Sequence, residues 1–203
     1  MTGTETGPPQ VPTSLIGLIG ADLRHKARWC YESEGRKALL KVLMTDGTAA
    51  MILYRLMQWS RRRGLTPLEM IFNKLNSICC QCIIGRGAEF GPGLVLIHSN
   101  GVVINGQVRG GSGILIEHQV TIGAERRQSP WIGDGVFLGA GAKIIGPVRI
   151  GECAKIGANA VVVDDIPAHR TAVGIPARVV PRRTNGEPVV AAVSSSLSGP
   201  LDS

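Results

Sequence analysis

Four histidines, His25, His98, His118 and His169, are the side chains of this 203-residue sequence whose ordinary pKa lies nearest neutrality. A reaction that must take a proton from an alcohol at neutral pH would draw on one of them. A second cluster with chemical potential is Cys79-Cys80-Gln81-Cys82, with Cys30 and Cys153 elsewhere. Its Cys-Cys-x-Cys spacing invites a metal, but no second ligand cluster accompanies it. The five cysteines are therefore read as reduced, buried thiols, with no metal site. Arg61-Arg62-Arg63 reads as a solvated helix end that suits the macrodipole rather than as a membrane-surface patch. A net charge of +7 points to an anionic partner. The basic residues are scattered with few aromatics among them, which argues against nucleic acid, and a phosphate-rich cofactor accounts for the charge equally well.

Groups of this kind need a scaffold, and the sequence carries one with a period. From Ile84, steps of six give Phe90, Leu96, Val102, Val108, Ile114 and Val120, then Arg126, then Ile132, Leu138, Ile144, Ile150, Ile156, Val162 and Ala168. Arg126 is the single break. A period of six fits neither a helix nor a simple alternating strand, and the unit (aliphatic, Gly, two free positions, small, one free) is the hexapeptide signature of a parallel β-helix. Three hexads close a triangular coil, each apolar residue stacks inward on its counterpart about eighteen residues away, and five coils make a prism roughly 24 Å tall. The small residues Ala88, Ser112, Ala142, Ala154 and Ala160 are expected to point inward.

Ahead of the prism, apolar spacings of three and four predict helices over 21–31, 35–44, 48–63 and 67–76, with Thr66-Pro67 as a cap. The expected fold is mostly β, a β-helix with an N-terminal α-helical region. Its parts are a disordered N-terminus (1–13), a helical region (14–80), the prism (81–180) and a flexible tail (181–203). No secretory signal or membrane-spanning run is evident, so a cytoplasmic protein is expected.

The hexads also carry a resemblance. Ile97-His98-Ser99-Asn100-Gly101-Val102-Val103-Ile104, Val120-Thr121-Ile122-Gly123, Gly139-Ala140-Gly141-Ala142-Lys143, Ala154-Lys155-Ile156-Gly157-Ala158-Asn159-Ala160 and Val173-Gly174-Ile175-Pro176-Ala177-Arg178 resemble the serine acetyltransferase family of hexapeptide-repeat acyltransferases, over residues 45–180. The resemblance implies a left-handed coil, the exception to right-handed parallel crossovers. It implies acetyl coenzyme A (acetyl-CoA) as acyl donor and a homotrimer with its sites between neighbouring prisms; the broad apolar face of helix 48–63 must pack on the prism, on another subunit or on both, and the second option allows a dimer of trimers through the N-terminal helices. It also implies His98 as the general base that takes the hydroxyl proton. Backbone amides near Gly123 would hold the developing oxyanion. Ala140, Ala142 and Ala158 would let a pantetheine arm approach the backbone, Lys155 and Arg178 would meet phosphates, and Lys143 and Lys155 are expected to stack on one corner.

Departures from the family bear on the acceptor. The family's two acids correspond to Ile97 and Ile83, and its second histidine to Ser129 before Pro130. The loop 125–130 is read as carrying no insertion, since residues 120 to 132 make two hexads. These differences favour a sugar or saccharide-precursor hydroxyl as acceptor. The alternatives are serine O-acetylation and, in a different class, a non-catalytic trimeric scaffold. Acceptor-site candidates are His118, with corner packing as its other reading, Arg127, beside the break with Glu117, Glu125 and Arg126, and Trp131, a platform for a sugar ring or for packing on a neighbouring prism. His25 and His169 read as structural or surface residues. The Asp202-Ser203 end lacks the terminal Ile of family members that dock on the next enzyme of cysteine synthesis.

Overall fold

A computed structural model describes residues 14–181. The expected disordered N-terminus, and the tail beyond Pro181 with its Asp202-Ser203 end, lie outside the described residues. Four helices come first: α1 (Leu15–Tyr31), α2 (Arg36–Leu43), α3 (Thr48–Arg62) and α4 (Thr66–Cys80). Helix α1 starts earlier than the apolar spacing predicts because Ser14 caps it, its side chain accepting from the Gly17 amide at 3.1 Å. Thr66 is the first residue of α4 rather than its cap, and α4 runs a turn past residue 76 before Gln81 ends it in the left-handed conformation. Arg61 and Arg62 lie in the last turn of α3, where cations suit the dipole, and Arg63 stacks 4.3 Å from the Trp59 ring centroid. Among the described residues no helix is long and apolar enough to cross a membrane.

The prism has three parallel faces. The first holds β1 (Ile83–Ile84), β4 (Val103–Ile104), β7 (Thr121–Gly123), β10 (Lys143–Ile145) and β13 (Val161–Val162). The second holds β2 (Glu89–Phe90), β5 (Arg109–Gly110), β8 (Trp131–Ile132) and β11 (Arg149–Ile150). The third holds β3 (Val95–Leu96), β6 (Leu115–Ile116), β9 (Phe137–Leu138), β12 (Lys155–Ile156) and β14 (Thr171–Val173), with β15 (Arg178–Val179) antiparallel on β14. Inward side chains stack in columns, such as Ile84, Ile104, Ile122, Ile144 and Val162 on the first face. Gly110 occupies an inward position because the Phe90 ring fills its space; a Cβ there would overlap that ring.

The register corrects the reading of a single break. The stacked residue after Leu96 is Ile104, two residues late, and the one after Ile122 is Ile132, four residues late. The two insertions together equal one hexad, so the six-residue ladder re-enters in phase and hides both. Between them Val102, Val108, Ile114 and Val120 are buried as the second inward residue of each turn, not as the stacking residue. For the same reason Ser112 is only half-buried while Ile114 takes the interior. The first insertion carries His98. The second is a tight hairpin in which Glu125 and Gln128 exchange backbone bonds of 2.9 and 2.8 Å. The expectation of no insertion at 125–130 is thus overturned.

The helices pack on the third face and on the first coil. Helix α1 climbs the prism: His25 Nδ1 lies 2.6 Å from the Gly93 carbonyl in the first coil, and Trp29 stacks 5.8 Å from Phe137 in the third. His25 is therefore structural, while exposed His169 pairs with Glu152 at 3.2 Å. Of the five cysteines only Cys82 is buried; Cys80 is half-buried, and Cys30, Cys79 and Cys153 are exposed, against the expectation of buried thiols.

Candidate active site

The corner between the third and first faces collects the predicted base, His98, and three of the other predicted site residues. Successive coils place there His98, then His118, then Ala140, then Ala158, linked by backbone bonds from Gln119 to Asn100, Gly141 to His118 and Asn159 to Ala140. His98 is half-exposed, and its ring centroid lies 6.0 Å from that of His118, edge to face. His118 is also half-exposed and faces Glu117 at 3.5 Å, an ion-pair distance. It is thus not packed into the corner, and Glu117 belongs to this corner rather than to the Arg126 hairpin.

The backbone of His98 is held from below. Ser99 Oγ donates to the Cys80 carbonyl at 3.0 Å, and the Gly101 amide donates to the Gln81 carbonyl at 2.9 Å, so the two-residue insertion sits against the end of α4. On the other side, Nδ1 of His98 lies 3.2 Å from Asp46 Oδ2 in the α2–α3 connection. A carboxylate only accepts, so this contact puts the proton on Nδ1 and leaves the Nε2 lone pair free to accept another. Lys26, fully buried on α1, donates from Nζ to the carbonyls of Asp46 and of Leu96, the latter at 2.8 Å. Burial pulls the Lys26 ammonium down to about 8, against the opposing pull of Cys30 and Asp46. The sequence offered no periodic or motif signal for Asp46 or Lys26, which become neighbours of the corner only through the packing of α1 and the α2–α3 turn.

Other candidates fall elsewhere. Ala142 is fully buried, an interior filler that a cofactor cannot touch within this fold. Lys143 lies on the first face, where Nζ donates to the Gln119 carbonyl at 2.6 Å, and Lys155 lies on the third. Twelve residues apart, they are two hexads out of step and do not share a corner. Arg178 pairs with Asp164 at 3.1 Å on the surface. Gly123 and Arg127 sit at the corner between the first and second faces, and Trp131, half-exposed, lies on the second face between Arg109 and Arg149. Within one chain these three do not join His98. Ser129 Oγ donates to Asn105 Oδ1 at 3.0 Å. Among the described residues no group of three or more His, Cys, Asp or Glu is placed to hold a metal ion.

Comparison with known proteins bears on this arrangement. Residues 129–164 match the bacterial transferase hexapeptide (six repeats) model. The chain is 36% identical over 147 residues to the serine acetyltransferase of Mycobacterium tuberculosis, covering 70% of this chain and 64% of that protein. It is 35% identical over 143 residues to the serine acetyltransferase of Helicobacter pylori, covering 68% and 84%. The chain belongs to the serine acetyltransferase family. With that family comes the left-handed hand of the β-helix. Among solved structures, the Neisseria gonorrhoeae serine acetyltransferase in complex with serine aligns with a TM-score of 0.73 at 35% identity, covering 82% of this chain and 69% of that one. A serine acetyltransferase in complex with CoA aligns with a TM-score of 0.74 at 29% identity, covering 82% and 70%. The chain spans less than two thirds of the first matched relatives, 64% of the Mycobacterium tuberculosis protein and 55% of the Salmonella typhimurium one.

Proposed function

We propose that this chain is an acetyl-CoA-dependent serine O-acetyltransferase with His98 as general base. The observation that carries the reading is the accessible His98, its Nε2 free, in a chain whose relatives are serine acetyltransferases. A relative of the same fold binds serine and another binds CoA. A sugar acceptor is favoured only by Ile83, Ile97 and Ser129, at positions where the resemblance would set polar groups. The relatives shift the weight to serine, and Asp46 and His118 supply polar groups at the same corner.

In this reading Nε2 of His98 accepts the serine hydroxyl proton as the hydroxyl oxygen bonds to the thioester carbonyl carbon. Collapse of the tetrahedral intermediate breaks the C–S bond, and the imidazolium returns its proton to the thiolate. His118 is the second polar group beside the acceptor. Ala140 and Ala158 keep the corner shallow for the pantetheine arm, with Lys155 and Arg178 as cationic candidates for its phosphates.

A homotrimer fits the surface. Met70, Ile71, Leu75 and Ile78 form an exposed apolar stripe on α4 that continues into Ile83 and Val103 on the first face. A neighbouring prism seated there can bring its own Gly123, Arg127 and Trp131 toward the His98 groove.

The test is thiol release from acetyl-CoA with serine and with a panel of sugars. Serine is expected to support turnover and the sugars not; the reverse preference returns the acceptor to a saccharide hydroxyl. No release with any acceptor would leave a non-catalytic scaffold. His98→Ala should lower turnover by roughly 10²–10⁴-fold, and unchanged turnover removes His98 as base.

A further inference from the structure

We propose that Asp46 is the positioning residue of His98, so that the helical region, not the prism, completes the base; this rests on the reading of His98 as that base. The two prism positions nearest the task, Ile83 and Ile97, carry no acceptor. Asp46 reaches the ring from another element, the α2–α3 connection.

The Asp46 turn is closed on itself and held by two contacts against the strand that leads to His98. Thr45 Oγ1 and Thr48 Oγ1 both donate to the Val42 carbonyl at 2.8 Å, which closes the turn after α2. Gly47, at φ 74°, backs directly onto the Leu96 carbonyl, where a Cβ would overlap the oxygen. Lys26 Nζ bridges the carbonyls of Asp46 and Leu96. Burying a lysine is costly unless its donors are used. Here both bonds end on the two segments that meet at His98.

The consequence is geometric. Leu96 lies two residues before His98, and Ser99 and Gly101 beyond it are tied to the end of α4. With the backbone held on both sides, the Asp46 carboxylate at 3.2 Å selects the Nδ1–H tautomer and keeps Nε2 aimed into the groove. A histidine side chain free in water favours the opposite, Nε2–H, tautomer. The Asp46 side chain is 78% exposed, so the contact contributes little to folding, and its effect belongs to the chemistry.

The experiment reads the tautomer directly. Long-range 1H–15N spectra of 15N-histidine-labelled full-length protein, at a pH where the rings are neutral, report which nitrogen of each imidazole carries the proton. His98→Gln assigns the signal, and His118 serves as the internal control. Wild-type His98 is expected as Nδ1–H, and Asp46→Ala is expected to move it toward Nε2–H while His118 stays as it was. The kcat of Asp46→Ala should fall by about ten- to a hundredfold, short of the loss in His98→Ala, with Asp46→Glu recovering part of it. An Nε2–H signal in the wild type, or an unchanged signal and kcat in Asp46→Ala, overturns the proposal. A wild-type protein with no turnover on any acceptor but with the tautomer shift intact overturns the acetyltransferase reading and leaves the Asp46–His98 pairing in place.

Discussion

Asp22 on α1 and Arg55 on α3 face each other in a bidentate ion pair of 2.7 and 3.0 Å, with neither side chain more than 2% exposed. The pair does more than neutralise itself. Asp22 Oδ1 accepts from the amides of Gly93 and Leu94, and Arg55 donates to the carbonyls of Phe90 and Gly91. Asp22→Ala should therefore cost about 3–5 kcal/mol by leaving a buried guanidinium uncompensated. A double change, Asp22→Leu with Arg55→Met, should recover little, because it strands four backbone groups of the first coil. Denaturant unfolding of the three proteins checks both statements; a double variant as stable as the wild type would contradict the second.

Lys26 and Cys82 give stability opposite slopes with pH. The folded-state value of Lys26 lies near 8, below its ordinary 10.5, so the unfolded chain holds that proton longer and stability rises with pH from about 8 toward 10.5. Burial pushes the Cys82 thiol up from 9.0 to about 12, so the unfolded chain loses that proton first and stability falls above pH 9. The expected profile rises between pH 8 and 9 and flattens above. Cys82→Ala should keep rising, by up to about 3 kcal/mol in total, and Lys26→Met should lose the rise. Unfolding free energies across that range read the slopes.

Gly47→Ala strains the turn twice, through its left-handed φ of 74° and through overlap with the Leu96 carbonyl. A loss of several kcal/mol is expected, well beyond the roughly 1 kcal/mol of a left-handed alanine alone. Thermal melting measures it, and a loss of 1 kcal/mol or less would mean that the turn moves freely away from Leu96.

The hairpin at the second insertion uses Arg126 and Arg127 at φ 47° and 68°, where turns of this hand prefer Asn-Gly. Arg126→Asn with Arg127→Gly should raise stability by about 1 kcal/mol. The same variant separates the arginines' two roles. A raised melting temperature with an unchanged KM for the acceptor would take Arg127 out of the acceptor site.

Much of this molecule is legible from local periodicity. Ile84, Ile132 and Ile156 announce stacked hexads because each coil repeats the same inward contact, and a repeated contact leaves a repeated residue. The same logic hid the insertions at His98 and at Arg126, since lengths of two and four sum to one period. The register of the strands, not the residue types, exposes them. Lys143 and Lys155 are a different case: no insertion lies between them, and two hexads of separation already put them on different faces.

By itself the sequence determined the hexapeptide coil and its apolar interior, because those features follow from near-neighbour stacking along the chain; the corner that gathers His98, Ala140 and Ala158 depends on the two insertions, which the period conceals. Tertiary structure alone decided which groups surround that corner. Asp46 meets His98 across 52 residues, and Lys26 meets Leu96 across 70. Such contacts arise from how α1 and the α2–α3 turn pack against the first coil, and no pattern within either segment encodes the partner it will find.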